Sequence, residues 1–374
     1  MADKKIRRRL PLRLKRALQV ALGLGLALVG VSYARALLAP NSPGWTLRSA
    51  EWVRDNHGGW ALDVAEWCWL SLHTQSAAEA TQLSVFPVPF ARNQPEQHLH
   101  PAEPAPIPLL SGKPLPNEGE WRAIGSTVNG VPALRCTMFR PDRTRPNVVV
   151  GVARFTPELT RFVLVAGTHD PGGDWNWHGT IPEEERGNLL AAFNAGFRLS
   201  DSHGGFYAEG KLAKELVEGA ASLVIDRNGA ADIIAWTPRR LRRLASVRQN
   251  LRLVLEDGQL PAGLSRNRGG GWGRLNHNLY AWRSGLGIGA DGALIYLAGE
   301  GLNLVTLAKA LQRAGAVRAM ELDMHRQWPS FNVFQPGGLL HPKLVATKLL
   351  KDTRHPAERY LTPDDRDFVA AFVR

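Results

Sequence analysis

The sequence predicts an α+β domain with mixed β-sheets and few helices, including a β-α-β unit near the C-terminus, preceded by an N-terminal transmembrane helix. Three observations support this class. Short apolar segments bounded by Gly, Pro and Asn recur between residue 119 and the C-terminus and outnumber helical patterns. One amphipathic segment, Val305–Ala314, interrupts them. A long uncharged apolar run lies close to the N-terminus.

Residues 1–36 combine a basic tail with that apolar run. The first 16 residues hold eight Lys or Arg and one Asp, a charge of +7 within the net +12 of the 374-residue chain. Ala17–Tyr33 is uncharged and lies at the short limit for a membrane span, which needs roughly 17–25 residues. A positive tail stays on the cytoplasmic side, which predicts that the rest of the chain lies outside.

An uncleaved signal anchor is favoured over a cleaved signal peptide, because Arg35 weakens the cleavage site Ala34-Arg35-Ala36. The prediction is a single-pass protein of the cell membrane with an extracytoplasmic C-terminal domain. Most of the excess positive charge belongs to the tail, so nucleic acid is not an expected partner.

Two segments separate the anchor from the domain. Residues 37–86 include a Trp-rich helical pattern over Trp45–His73, interrupted by Asn-His-Gly-Gly at 56–59. A helical hairpin against lipid or against the domain and an ordinary core helix pair both fit this pattern. Residues 87–118 are rich in Pro and predict an extended spacer.

The chain has two cysteines, Cys68 and Cys136. One pair in a chain of this length is not a disulfide scaffold, so pairing is not expected. Cys68 lies in an apolar, Trp-rich segment, which favours a buried free thiol.

Residues 119–374 carry the main domain, which is built mostly from strands. Asn129-Gly130 and the turn over 226–229 predict two hairpins. Asn303 is a plausible N-cap and Gly315 a helix end around Val305–Ala314. Strands are expected over 121–128, 133–139, 148–155, 161–166, 189–193, 221–225, 231–236, 251–255, 286–288, 293–297 and 317–323.

Two carboxylates mark the strand that follows the predicted helix. Regular alternation over Val317–Asp323 puts Glu321 and Asp323 on one face, with Cα atoms roughly 6.5–7 Å apart. Ligands collect beyond the carboxyl ends of strands that follow a crossover helix. The pattern therefore predicts an acidic site. An Asp323 side chain that accepts from loop amides, or an ion pair of Glu321 with Arg318 or Arg326, would give the same pattern.

Arg283 and Asn194 are the polar residues in two other segments built for burial. Arg283 precedes small residues, where a guanidinium can reach a phosphate or a carboxylate in bidentate fashion. A salt bridge, including one with Asp323, is the structural alternative. Asn194-Ala195-Gly196 ends an apolar strand in a turn that lets backbone approach a ligand, or forms an ordinary Asx-turn.

These motifs occur in an order that resembles the phosphodiester glycosidase family. The resemblance covers roughly Gly187–Phe334, and Trp-Pro-Ser-Phe-Asn at 328–332 is similar to membrane-anchored members of actinobacterial type. The segments that carry it are Phe193–Phe197, Gly204–Tyr207, Arg283–Ile288, Leu304–Val317, Leu322-Asp323 and, more weakly, Arg248–Leu251.

The resemblance implies a glycoside hydrolase that acts on phosphodiester-linked sugars and needs no cofactor. Asp323 corresponds to the acidic residue of the family site and Arg283 to its phosphate clamp, with Glu321 as a supporting catalytic residue. The expected substrate-binding residues are Asn194, Gly196, Gly205, His325 and Trp328. One departure is clear: Met324–Trp328 replaces the family's Gly-rich turn, and we interpret it as a subfamily feature and not as a loss of function.

A metal site is not predicted. His169, Asp170, Asp174 and His178 lie close in sequence, but Asp170-Pro171-Gly172-Gly173 is turn chemistry, and a solvated loop or pocket rim is the simpler interpretation. The sequence therefore predicts an outward-facing membrane glycosidase that hydrolyses a sugar-1-phosphodiester in a cell-envelope glycan or glycophosphate. A non-catalytic glycan-binding or structural module is the alternative.

Overall fold

A computed structural model describes residues 12–38, 44–72, 103–110, 112–238, 241–266, 271–272, 279–336 and 344–374. Its helices are α1 (Leu12–Leu38), α2 (Trp45–Val53), α3 (Gly59–Leu72), α4 (Leu199–Ser202) and α5 (Leu304–Arg313). A π-helical turn covers Arg54–Gly58, and 3-10 turns cover Pro157–Leu159, Glu183–Asn188, Leu241–Arg243, Leu264–Arg266 and Arg359–Leu361.

The strands are β1 (Arg122–Ala123), β2 (Thr127–Val128), β3 (Val131–Pro132), β4 (Leu134–Phe139), β5 (Val150–Phe155), β6 (Thr160–Val165), β7 (Leu189–Asn194), β8 (Phe206–Ala208), β9 (Lys211–Lys214), β10 (Ala221–Asp226), β11 (Ala231–Ala235), β12 (Leu244–Asn250), β13 (Leu253–Leu255), β14 (Ala281–Gly289), β15 (Leu294–Leu302), β16 (Ala316–Met324), β17 (Phe331–Gln335), β18 (Val345–Lys348) and β19 (Phe368–Val373). The prediction of a mostly β-stranded domain with few helices is confirmed.

The chain divides into two compact units, one ending at Glu66 and one starting at Trp67. In the first unit, α1 contains a stretch, Gln19–Leu38, that is long and apolar enough to cross a membrane. A signal sequence passes the same test. The end of α1 packs against α2, where the Trp52 indole N–H donates to Ser32 Oγ at 3.0 Å and the Trp52 and Tyr33 rings meet at 5.1 Å.

The helical pattern breaks where the sequence predicted it. His57 has a φ of 64° inside the π-helical turn, so α2 and α3 are separate helices. Both cysteines lie in the described residues and both are free. Cys136 is buried in β4, but Cys68 is exposed on α3. The expectation of a buried Cys68 thiol was wrong, because the described residues leave this position of α3 uncovered.

The second unit is built from three large sheets and one small one. Seven strands follow the order β1-β4-β5-β15-β14-β16-β13, five follow β11-β10-β12-β8-β9, five follow β18-β17-β7-β19-β6, and β2 pairs with β3. Apolar side chains from all three large sheets share one core, which includes Phe193, Leu223, Tyr296 and Phe331. A second core lies between α5 and the seven-stranded sheet.

The predicted hairpins at Asn129-Gly130 and at 226–229 are present as β2–β3 and β10–β11. The predicted helix is present as α5, and the Asn303 side chain caps it by accepting from Thr306 N. A helix therefore does connect β15 to β16. The two strands run parallel to each other, but each pairs with β14, which lies between them.

Strand direction corrects one detail of the prediction. Every ladder among the described strands is antiparallel, so the expected mixed sheets are instead antiparallel sheets. Short turns join many consecutive strands, and such turns favour antiparallel pairing.

The end of the Pro-rich segment packs on the domain. Ile107 is buried in the second core, and its N–H donates to Gly119 O at 2.9 Å. Glu118 forms a buried ion pair with Arg140 at 2.9 Å. The part of the predicted 87–118 spacer from 103 onward is thus held by the domain, and residues 87–102 lie outside the described residues.

Candidate functional site

A buried polar network surrounds Asp323 at the end of β16. Asp323 Oδ1 accepts from Met324 N at 2.8 Å, and Oδ2 accepts from Arg366 Nη2 at 3.2 Å. The same Nη2 donates to Gly196 O at 2.9 Å. Asp323 is 3% exposed and Arg366 is 6% exposed. Arg366 therefore joins the predicted catalytic carboxylate to the predicted Asn194-Ala195-Gly196 turn.

Ser284 on β14 makes a second connection between these two elements. Its Oγ accepts from Asn194 Nδ2 at 3.0 Å and from Asp323 N at 3.3 Å. The Asn194 Oδ1 accepts from Tyr296 OH at 3.0 Å and from Ser330 N at 3.1 Å. Both the nitrogen and the oxygen of the Asn194 side-chain amide are therefore hydrogen-bonded within the protein. This suits a positioning role better than contact with a ligand.

Gly196 is required by the close approach of β12. Its φ is 157°, and a Cβ there would lie 3.2 Å from Asn250 Nδ2. That same Nδ2 donates to Glu321 O at 2.6 Å and to Leu322 O at 2.8 Å. Arg248–Leu251, the weaker motif match, therefore reaches the site from β12 by holding the β16 backbone.

A register shift in β16 separates the two carboxylates. Ser284 pairs with Asp323 but Gly285 pairs with Glu321, so Leu322 is an extra residue opposite this point of β14. Successive residues of β14 point to opposite faces, and so do their partners. The expectation that Glu321 and Asp323 share a face was wrong because it assumed an unbroken strand.

Each carboxylate consequently has its own arginine. Glu321 accepts from Arg283 Nη1 in an ion pair that is 2% and 1% exposed. Arg283 Nε donates to Leu302 O at 3.0 Å, and its Nη2 donates to Leu279 O at 3.2 Å. The salt bridge considered as the alternative for Arg283 is present, with Glu321 as partner and not Asp323.

Two further buried ion pairs lie beside the site and were missed by the sequence interpretation. Arg248 Nε donates to Asp367 Oδ2 at 2.5 Å. Arg359 donates to both oxygens of Asp364 at 2.5 and 3.0 Å, and Asp364 Oδ1 also accepts from Arg366 N at 3.0 Å. The available signal was the run Asp364-Asp365-Arg366-Asp367, four charged residues directly before an apolar strand.

Burial shifts the pKa values around these pairs. It raises the pKa of Asp367, although Arg248 opposes the shift. Burial would also raise the pKa of Asp364, but the charge and hydrogen bonds of Arg359 bring it below its usual range. The ion pairs are thus not equivalent, because only Asp364 gains more from its partner than it loses by desolvation.

Arg198 lies at the rim of the network. It is partly exposed, and burial followed by the charge of Arg366 lowers its pKa to about 10. Asp170, also partly exposed, has its Oδ2 3.9 Å from Arg366 Nε and accepts from Leu199 N at 3.0 Å. The side of the network that holds Arg198 and Asp170 is therefore the one nearest to solvent.

The turn that replaces the family's Gly-rich segment covers Arg366. The Trp328 ring lies 4.6 Å from the Arg366 guanidinium, and the His355 ring lies 6.5 Å from that of Trp328. His325 begins the turn with a φ of 71° and donates from its backbone N to Trp282 O at 2.9 Å. Burial, then the charge of Arg359, lowers the pKa of His355 to about 3.

Gly205 has a structural reason for being glycine. A Cβ there would lie 2.3 Å from Glu215 O, and its N–H donates to Gln249 Oε1 at 3.0 Å. A separate cavity of about 450 Å³ opens between β6, Trp175–Trp177 and the β10–β11 turn, and its lining includes none of the predicted site residues.

The candidate metal-binding loop separates into two pairs. His169 Nδ1 lies 3.0 Å from Asp365 Oδ1, and His178 Nδ1 lies 3.8 Å from Asp174 Oδ1. Within the described ranges, no three His, Cys, Asp or Glu side chains are grouped as metal ligands would be.

Residues 187–323 match the family model described as phosphodiester glycosidase. The matched segment runs from the strand before Asn194 to Asp323, so the resemblance stated from the motifs is confirmed over this segment. The finer assignment to membrane-anchored members of actinobacterial type stays a prediction. Among curated proteins, none is significantly similar in sequence.

Two solved structures are similar at low identity. One is the catalytic domain of zebrafish N-acetylglucosamine-1-phosphodiester alpha-N-acetylglucosaminidase auto-inhibited by its pro-peptide, with 15% identity, 68% of this chain and 88% of that chain covered, and a TM-score of 0.42. The other is a hypothetical protein from Synechocystis, with 13% identity, 66% and 63% covered, and a TM-score of 0.39.

Proposed function

We propose that this protein is a membrane-anchored glycosidase that hydrolyses a sugar-1-phosphodiester bond in a cell-envelope glycan or glycophosphate. One observation supports this most directly. The segment that matches the phosphodiester glycosidase family contains Asp323 and the Asn194–Gly196 turn, and Ser284 and Arg366 bind these two to each other.

Asp323 is the residue that acts on the sugar in this proposal. The hydrogen bonds from Arg366 and Met324 N stabilise its charged form and fix its direction. A carboxylate so held either attacks the anomeric carbon or activates a water molecule, through an oxocarbenium-like transition state. The anomeric configuration of the first product distinguishes retention from inversion and so decides between these roles.

The other predicted site residues take different roles. Arg283 and Glu321 form a buried ion pair that stabilises the strand pair β14–β16. This guanidinium is fully buried and donates to protein acceptors, so it cannot reach a substrate phosphate. Asn194, Gly196 and Gly205 position backbone and Ser284. His325 and Trp328 form the wall of the site, where Trp328 covers Arg366.

The anchor in this proposal is α1, with the basic tail in the cytoplasm and the glycosidase domain outside. An extracytoplasmic domain meets envelope glycans directly. Protease protection in sealed spheroplasts tests this orientation: the domain should be digested from outside, and a domain resistant until the membrane is opened would contradict it.

The activity is tested with the full-length protein in detergent and an N-acetylglucosaminyl-1-phosphodiester. We expect turnover by the wild type and a loss of about a thousandfold or more in kcat for Asp323→Asn, because the charge that acts at the anomeric carbon is removed. Arg227→Gln is the matched control, since Arg227 is exposed in the β10–β11 turn and lines the separate cavity. A wild-type rate for Asp323→Asn would refute the assignment.

A non-catalytic glycan-binding module is the second candidate function. The observation that favours it is the Met324–Trp328 turn, which departs from the family pattern and places an indole over Arg366. Saturable binding of the same phosphodiester with no release of sugar by the wild type would support this candidate against the first.

A further inference from the structure

Two arginines from distant parts of the chain meet next to Asp323. Arg198 follows β7 by four residues, and Arg366 precedes β19 by two. Asp170 Oδ2 lies between them, since it accepts from Leu199 N, next to Arg198, at 3.0 Å and lies 3.9 Å from Arg366 Nε. Burial, then the charge of Arg366, lowers the pKa of Arg198. Like charges held together in a partly desolvated place repel, and that repulsion falls when an anion binds between them.

Arg366 is fixed from several sides but retains a donor. Asp364 accepts from its backbone N at 3.0 Å, Gly196 O and Asp323 Oδ2 share its Nη2, and Trp328 covers one face of the guanidinium. Its Nε is buried and has no hydrogen-bond partner among the described residues. The Oδ2 of Asp170 lies 3.9 Å from that Nε, beyond hydrogen-bond reach.

The unused donor points to a ligand with acceptor oxygens. A buried guanidinium N–H that lacks a partner costs free energy, and a bound oxyanion removes that cost. A forked pair of guanidinium groups matches the geometry of phosphate oxygens. Arg198 is the half of the pair that meets solvent, so an anion can arrive from that side.

We propose that Arg198 and Arg366 form an oxyanion site that binds a phosphoryl group, in the place that family resemblance would give to Arg283. As a claim about substrate, this rests on the proposed function. The phosphoryl group would then lie on the Asp323 face of β16 and not on the Glu321 face. Asp323, Asp170, Asp201 and Asp365 lie around the pair, and their charges weaken the attraction for an anion.

The test is a titration of the full-length protein in detergent with inorganic phosphate, followed by calorimetry and by the line width of the phosphorus resonance. The wild type should bind saturably, and Arg198→Gln should weaken binding about tenfold or more because one charge-assisted contact is lost. Arg198 is partly exposed, so this variant should fold. Arg366→Gln should weaken binding further, and Arg227→Gln, in the exposed β10–β11 turn, should bind as the wild type does.

Asp323→Asn separates this inference from the proposed function. Removing a negative charge beside the site should tighten phosphate binding about threefold or more, while turnover is lost. Phosphate binding that is unchanged in Arg198→Gln, or no phosphate binding by the wild type, would overturn the inference. Binding that depends on Arg198, in a protein that cleaves no sugar phosphodiester, would leave the inference standing and remove the proposed function.

Discussion

Two carboxylates two residues apart on β16 have opposite surroundings. Glu321 faces α5 and the second core, where Arg283 and two backbone carbonyls close the ion pair completely. Asp323 faces the rim with Arg198 and Asp170, and the Nε of its partner Arg366 has no hydrogen-bond partner in the described part of the chain. An arginine–carboxylate pair in a core is therefore not enough to indicate a functional site. What distinguishes a candidate site is unsatisfied bonding capacity next to solvent.

The largest expected contrast is in activity. Asp323→Asn should reduce turnover about a thousandfold or more, whereas Glu321→Gln should reduce it less than about tenfold in the molecules that remain folded. Rates are compared per folded molecule, as determined by near-UV circular dichroism. Equal losses of turnover in the two variants would contradict the different roles of Asp323 and Glu321.

Stability should show the reverse order. Glu321→Ala leaves the Arg283 charge buried and unpaired, which should lower the free energy of unfolding by about 3–5 kcal/mol. Replacing both partners, with Arg283→Met and Glu321→Leu, should restore most of that loss, because the buried charge is gone. Denaturant midpoints of the single and double variants measure this. A single variant as stable as the wild type would mean that water reaches Arg283.

Acid should lower the free energy of unfolding through His355, which lies on the Asp323 side with its ring facing Trp328. The folded pKa of His355 is about 3, against about 6.5 when unfolded. Between these values only the unfolded chain binds the proton, so the free energy of unfolding falls as the pH drops through this window. The loss should reach about 3 kcal/mol at pH 4 and be absent above pH 7.

His355→Gln is the comparison for this pH effect. It should flatten the stability profile between pH 6.5 and 4, when unfolding by urea is followed at several pH values. Asp364 contributes only at lower pH because its pKa is depressed, and Asp367 acts in the opposite direction because its pKa is raised. If the free energy of unfolding of His355→Gln depends on pH as that of the wild type does, the acid sensitivity comes from the carboxylates and not from His355.

The smallest effect concerns the turn that meets Arg366. Gly196→Ala should cost about 1–3 kcal/mol, because a side chain at φ 157° is strained and would press on Asn250. Gly187→Ala is the matched control, since no atom lies within 4 Å of the added Cβ. Equal thermal unfolding midpoints for the two variants would contradict this expectation and show that Asn250 on β12 moves to accommodate the added Cβ.

Local pattern predicted much of the fold. The hairpin at Asn129-Gly130 depends on residues that adopt positive φ, and both do. Helix α5 depends on apolar spacing and on the Asn303 cap, both of which are local. The site was predicted only in part. Hydrogen bonds of Ser284 and Arg366 link Asn194, Gly196 and Asp323. Arg366 lies just before β19 and Arg248 lies on β12, both far from β16 in sequence.

Strands β8, β9 and β17–β19 were not predicted from the sequence. Local pattern did predict strands such as β4, β5, β7, β10 and β11, the approximate bounds of α5 and the apolar N-terminal helix. These properties depend on a residue and its near neighbours. Which arginine forms an ion pair with which carboxylate depends on the packing of the sheets. A single extra residue at Leu322 turns Asp323 away from Glu321, and Asn250 from another sheet holds it there. No local pattern encodes that contact, because it forms only when the sheets pack.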